Sequence, residues 1–211
     1  MSAHKHRHKK RFGQHFLHDE MARDGMIDAI APQAGDSFIE IGPGQGVLTR
    51  PLLDALAHCV VIEIDRDLAA QLRLWPDDRL QVVESDVLSV DIAACALSTP
   101  YRLVGNLPYN ISTPLLFHCF EFIDTFSDAH FLLQKEVVDR IVAPVGSSAY
   151  GRLSVMSQFY VHPTELMAVG PESFDPPPQV QSSFVCLTPI KNRLSTNVSL
   201  LSKVVQRSFH A

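Results

Sequence analysis

Asn106-Leu107-Pro108-Tyr109 brings together the side chains in this sequence that come nearest to a reaction. Holding a planar nitrogenous base takes an acceptor for its exocyclic amine, a rigid approach and an aromatic face. The Asn106 amide oxygen is such an acceptor, Pro108 stiffens the turn, and the Tyr109 ring offers a stacking surface. N-x-P-x is also ordinary turn chemistry, so the tetrapeptide alone does not separate a turn from a base pocket. A second aromatic station is Phe174-Asp175-Pro176-Pro177-Pro178-Gln179-Val180-Gln181-Ser182, which by itself reads as a Pro-rich connector. Paired with Tyr109, Phe174 could complete a clamp around an extruded base, as base-modifying enzymes require.

Glu40-Ile41-Gly42-Pro43-Gly44-Gln45-Gly46 places glycines at alternate positions. There the backbone can approach a ligand closely in a tight turn, and the helix that follows offers free N–H groups. The pattern is not the dinucleotide G-x-G-x-x-G, because the third glycine comes one residue early and an acid, Glu40, precedes the first. A carboxylate there repels a pyrophosphate and suits a cationic ligand, such as the amino group of S-adenosylmethionine. Glu63 ends the next strand candidate, where an acid can accept from both ribose hydroxyls. Asp86 follows the third and can accept from an adenine amine. Each acid alone is ordinary at a strand end. Three in succession beside a Gly loop point to a ligand at the carboxyl edge of a sheet.

The elements that must carry these residues alternate. Strands are expected over 37–41, 59–64, 80–83, 102–105 and 129–133, with helices over 19–31, 47–57, 67–74, 113–122, 135–142 and 150–160. That alternation predicts an α/β fold with a mostly parallel sheet. Two late strands, near 166–169 and 183–188, flank the Pro-rich loop over 174–180 and predict an antiparallel hairpin at one sheet edge. Residues 191–211 begin something helical but are too few to bury a core of their own, so they read as the start of a truncated second domain.

Composition sets the outer bounds. The 211 residues, 46% hydrophobic and 19% charged, fit one ordinary globular domain or a little more. No apolar run approaches the roughly 18 residues of a membrane span, and no hydrophobic segment follows the basic N-terminus as in a secretory signal. The cysteines Cys59, Cys95, Cys119 and Cys186 are scattered, three of them in apolar surroundings. Buried, reduced thiols in a cytosolic protein are therefore expected, and no metal site. The net charge of -5 is uneven: Lys5, Arg7, Lys9, Lys10 and Arg11 crowd residues 1–11, which hold none of the 23 acids. A basic flexible arm on an acidic body is suited to phosphate contact.

Taken together, Phe12-Gly13-Gln14-His15-Phe16-Leu17, the 40–46 loop, the 106–109 turn and the 174–182 segment resemble a known family. It is that of the small-subunit ribosomal RNA adenine N6,N6-dimethyltransferases, the KsgA/RsmA family. Leu133-Gln134-Lys135-Glu136-Val137 and Tyr150-Gly151-Arg152-Leu153-Ser154 match it in order and spacing, and the resemblance spans about residues 9–190. It implies a Rossmann-like S-adenosylmethionine-dependent methyltransferase fold, with a seven-stranded mostly parallel sheet and an antiparallel edge hairpin. The implied activity is dimethylation of N6 on two adjacent adenosines in a 3′-terminal stem-loop of small-subunit rRNA, with a role in small-subunit biogenesis.

By that resemblance His15, Leu17, Gly42, Glu63, Asp86 and Asn106 line the donor site, joined by Glu40 and Gly44 of the loop. Asn106, Leu107 through its carbonyl, Tyr109 and Phe174 present the target adenine. The family often has Asn in the place of His15, and Asp175 and Pro177 stand at variable positions. The implied organisation is an arm over 1–11, a catalytic domain over 12–190 and the opening of a C-terminal helical domain over 191–211. The expected protein is a cytoplasmic monomer whose partners are the rRNA and the immature small subunit. The alternatives are an enzyme of large-subunit rRNA, which the 150–154 and 174–182 matches disfavour, and an assembly factor whose catalysis is secondary.

Overall fold

A computed structural model of the chain describes residues 14–56, 58–194 and 196–209, so the arm over 1–11 and Phe12-Gly13 of the first motif lie outside the described residues. The described part opens with a two-residue strand, β1 (Phe16–Leu17). Asp19 then caps α1 (Glu20–Ile30), its carboxylate accepting from the Met21 and Ala22 N–H groups. Strand and helix alternate from there: β2 (Phe38–Ile41), α2 (Thr49–Ala55), β3 (Cys59–Glu63), α3 (Arg66–Arg73), β4 (Leu80–Glu84), α4 (Ile92–Cys95), β5 (Tyr101–Asn106), α5 (Ser112–Glu121) and β6 (Phe126–Gln134). The pattern then changes to two helices, α6 (Lys135–Val142) and α7 (Arg152–Tyr160), followed by β7 (Val161–Val169), β8 (Phe174–Asp175), β9 (Ser182–Pro189) and α8 (Val198–Ser208).

Seven strands form one sheet in the order β4-β3-β2-β5-β6-β9-β7. The first five run parallel, whereas β9 is antiparallel to both β6 and β7. The mostly parallel sheet with an antiparallel edge hairpin is thus borne out. Every residue of β2 and β3 is buried, as expected of parallel strands covered on both faces. Alternate residues feed two cores, one holding Ile39, Ile41, Val60, Ile62 and Leu103, the other Phe38, Val61, Val104, Leu132 and Phe184. The chain works outward from β2 to β4 and then returns to β5 on the other side of β2. That reversal opens a crevice between the carboxyl ends of β2 and β5.

Several bounds differ from expectation for physical reasons. β7 starts at Val161 rather than near 166, with Pro163 inside it, because it is an edge strand where a missing N–H is tolerated. The helix expected over 150–160 begins at Arg152, since Gly151 is extended and its N–H is taken by the Ser154 hydroxyl at 3.0 Å. The loop expected over 174–180 begins as a strand: β8 pairs antiparallel with β1, Leu17 opposite Phe174 and Phe16 opposite Asp175. All four cysteines are free, but only Cys59 and Cys119 are buried, while Cys95 and Cys186 are partly exposed. Among the described residues no helix is long and apolar enough to cross a membrane.

Candidate functional site

A cleft of about 960 Å³, including its open mouth, lies where β2, β3 and β5 end. Of the residues singled out from sequence, His15, Leu17, Glu40, Gly42, Gly44, Glu63, Asp86, Asn106, Leu107 and Tyr109 all line it. Phe174 does not.

The Gly loop forms one wall. Gly42 and Gly44 adopt positive φ (65° and 58°), and a Cβ at Gly44 would come within 3.0 Å of the Phe16 ring, which packs on the loop. The Gly44 N–H donates to Glu63 Oε2 at 3.1 Å, and the Asp65 N–H donates to Oε1 at 2.8 Å. Burial raises the Glu63 carboxyl above the ordinary range, although these two hydrogen bonds oppose the effect. The carboxylate keeps lone-pair capacity for a ligand hydroxyl.

Glu40 differs from the open carboxylate expected at this position. It is 1% exposed, accepts from the Thr49 hydroxyl at 2.6 Å, and burial pushes its carboxyl up to about 8. In the ligand-free protein it is therefore a protonated acid at neutral pH, and a cation beside it would draw out its charge. Asp86 is exposed and caps the turn after β4, one oxygen accepting from the Leu88 N–H at 3.0 Å.

The opposite wall is the turn after β5. The Asn106 side-chain NH₂ donates to the His15 carbonyl at 3.1 Å, so the orientation of the amide is fixed and its oxygen remains as an acceptor. Leu107 is buried and donates its N–H to the Leu132 carbonyl at 3.2 Å, anchoring the turn to β6. The Tyr109 hydroxyl shares a 2.6 Å hydrogen bond with Ser182, and its ring stacks on His15 with centroids 5.4 Å apart. Phe174 is 2% exposed, packed in the second core behind Leu17, so the structure does not bring it to Tyr109 as the clamp reading expected.

Four contributors went unassigned from sequence. Gln14 reaches from its Nε2 to Asp65 at 3.3 Å, and Phe16 covers the Gly loop. Thr49 holds Glu40, and Ser182 holds Tyr109. Ser182 closes a motif already quoted, so its place was visible but its partner was not. Thr49 carries no spacing signal toward Glu40. Among the described residues no group of His, Cys, Asp or Glu could hold a metal ion.

Comparison with known proteins follows this geometry. The profile of the family described as "Ribosomal RNA adenine dimethylase" matches residues 5–211. A protein of Albidiferax ferrireducens named "Ribosomal RNA small subunit methyltransferase A" is 52% identical over 208 residues, covering 97% of this chain and 79% of that protein. The crystal structure of a dimethyladenosine transferase from Plasmodium falciparum superposes with a TM-score of 0.81 at 29% identity, covering 92% of this chain and 70% of that one. The 23S rRNA methyltransferase ErmE superposes with a TM-score of 0.76 at 27% identity, covering 90% of this chain and 77% of that one.

Proposed function

The chain belongs to the ribosomal RNA adenine dimethylase family, and from that premise we propose that it dimethylates N6 of two adjacent adenosines in a 3′-terminal stem-loop of small-subunit rRNA, with S-adenosylmethionine as donor. Its substrate in the cell is the immature small subunit in the cytoplasm, where the modification serves subunit biogenesis, and it acts as a monomer. The observation that carries this reading is the Asn106 amide, turned by the His15 carbonyl so that its oxygen is left as an acceptor in the cleft. The 150–154 and 174–182 motifs favour the small subunit over the large.

The residues present fit the donor. The loop wall has no Cβ at Gly42 or Gly44, and the cleft beside it is lined by three acids of different character. Glu63 accepts from the ribose hydroxyls, Asp86 from the adenine amine, and Glu40 ionises to pair with the amino group. His15 and Leu17 line the remaining side. S-adenosylmethionine, when bound, contributes an electrophilic methyl group on a sulfonium.

The target N6 is a poor nucleophile because its lone pair is delocalised into the ring. The Asn106 oxygen and the Leu107 carbonyl each accept one amine proton and so favour a pyramidal nitrogen with its lone pair exposed. Tyr109 holds the ring plane, and the same acceptors stabilise the positive charge that develops at nitrogen. Alignment and matched acceptors suffice without a strong general base, since the proton leaves after attack. The second transfer requires the monomethylated amine to rotate, which needs room beside Tyr109. Phe174 backs Leu17, which it faces across the β1–β8 pair. Residues 191–211, which contain α8 with Leu200 and Val204 exposed, open the helical domain of this reading.

The test is mass spectrometry of undermethylated small-subunit RNA after incubation with the chain and S-adenosylmethionine. Two dimethyladenosines in the 3′-terminal stem-loop are expected. Transfer to large-subunit RNA alone, or none to either, refutes the proposal.

A further inference from the structure

Three side chains on the β6–β9 ladder stand outside the cleft lining: Asp128, His130 and Cys186. Cys186 is the cross-strand partner of His130. Directly opposed residues of an antiparallel pair share a face and hold their Cβ atoms about 4.5–5.5 Å apart, so imidazole and sulfur meet. The ring is 3% exposed, and its Nδ1, which makes no hydrogen bond, lies 3.5 Å from Asp128. Asp128 is held by Arg102 at 2.9 Å, and Arg102 by Asp36 at 2.8 Å. A carboxylate, an imidazole and a thiol thus follow one another. In that order a third group orients the base that activates a nucleophilic sulfur. Burial works against a charge on His130, but Asp128 and Cys186 outweigh it and keep the ring protonated up to about 9. An imidazolium therefore stands beside the sulfur at neutral pH, and such a neighbour favours the thiolate.

The other three thiols are placed differently. Cys59 and Cys119 are buried, and burial raises both, Cys119 to about 12. Cys95 is partly exposed, as Cys186 is, but burial and the Asp91 carboxylate raise it. Around the Cys186 sulfur stand the His130 ring, Thr188 Oγ1 at 3.8 Å and, opposite on β7, Thr164. We propose that Cys186 is a nucleophilic thiol and a site of mixed-disulfide formation with low-molecular-weight disulfides, His130 pairing with its thiolate and Asp128 orienting the ring. The Cys186 thiolate attacks one sulfur of the small disulfide. A new S–S bond forms to Cys186, the old one breaks, and its electron pair leaves on the other sulfur. That sulfur takes up a proton from His130 and departs as a thiol. Cys186 is oxidised, and half of the small disulfide is reduced. The site is separate from the methyl-transfer cleft and does not depend on that reading.

The test treats the folded chain at neutral pH with iodoacetamide and, separately, with hydroxyethyl disulfide, a small neutral probe. Peptide mass spectrometry then follows each cysteine over time. Cys186 is expected to be alkylated roughly tenfold or more faster than Cys95, the other partly exposed thiol. The disulfide probe should add its hydroxyethylthio group at Cys186, and dithiothreitol should remove it. His130→Gln and Asp128→Asn should each slow Cys186 roughly tenfold while leaving the rate at Cys95 unchanged. Cys59 and Cys119 should stay unlabelled in both variants, because a fold that had merely loosened would expose them too. Equal rates at Cys186 and Cys95 in the wild-type chain would overturn the inference whatever the variants do. So would a wild-type rate at Cys186 in His130→Gln with Cys59 and Cys119 still protected.

Discussion

At the level of single residues, the chemistry depends on which end of an amide points where. Asn106 could present either its oxygen or its NH₂ to a ligand, and the His15 carbonyl decides by taking the NH₂. Asn106→Ala should therefore lower methyl transfer about 10²- to 10³-fold, the usual cost of one acceptor or donor matched to developing charge. The urea midpoint should stay near wild type, because the side chain is only partly buried. Transfer of labelled methyl groups at nearly the wild-type rate would sink the acceptor role. Residue identity in the sequence went a long way here: the strand-end acids, Gly42, Gly44 and Asn106 all line one cleft. Phe174, read from its aromatic type, its motif and the resemblance, instead lies buried behind Leu17 in the ligand-free chain. Whether a ring faces a cleft or a core depends on a pairing of two-residue strands, Leu17 opposite Phe174, for which no local pattern exists. Glu40 was legible as an acid but not as a protonated one, since its burial and its bond to Thr49 are tertiary facts.

Among the elements, the Gly loop and the start of α2 do the positioning, and Gly46 is the tightest point. Its φ is +81°, and a Cβ there would lie 2.2 Å from the ring of Trp75, which follows α3. The Arg50 guanidinium lies over that ring, 3.9 Å from its centroid. Both backbone strain and overlap thus oppose a side chain. Gly46→Ala should destabilise the chain by about 2–5 kcal/mol, the sum of a left-handed alanine and an overpacked contact. The chain has a single Trp, so its emission reports directly on this site, and the variant should show a shifted spectrum together with a lower urea midpoint. An unchanged spectrum and midpoint would mean that the loop yields without cost. The parallel strands were readable because burial on both faces leaves short continuous apolar runs. The ends of the elements were less so: Pro163 hid the first half of β7, and β1 and β8 are too short to show a period.

For the molecule as a whole, one cross-strand row joins the site to the interior. Glu40 pairs with Val104, Val104 with His130, and His130 with Cys186, so two buried titratable groups share a row and a face of the sheet, roughly 10 Å apart at ordinary strand spacing. His130 is 3% exposed, and its unbonded Nδ1 lies 3.5 Å from Asp128, a carboxylate that Arg102 also holds at 2.9 Å. Burial works against a charge on His130, but Asp128 and Cys186 outweigh it and raise the ring to about 9. Burial raises Glu40 to about 8. Both folded values exceed those of the unfolded chain, so in each case the folded state holds the extra proton. The stability each group contributes is complete below its unfolded value and is lost as pH rises through its folded one. For Glu40 that window runs from 4.5 to about 8, and for His130 from 6.5 to about 9. The windows overlap between pH 6.5 and 8, where each group contributes a slope of up to about 1.4 kcal/mol per pH unit. The urea midpoint of the ligand-free chain should consequently fall across that interval. Glu40→Gln and His130→Gln should each flatten the fall, and the double variant should nearly abolish it. If both single variants keep the wild-type slope, these two groups do not hold their protons in the fold and the row is electrostatically inert.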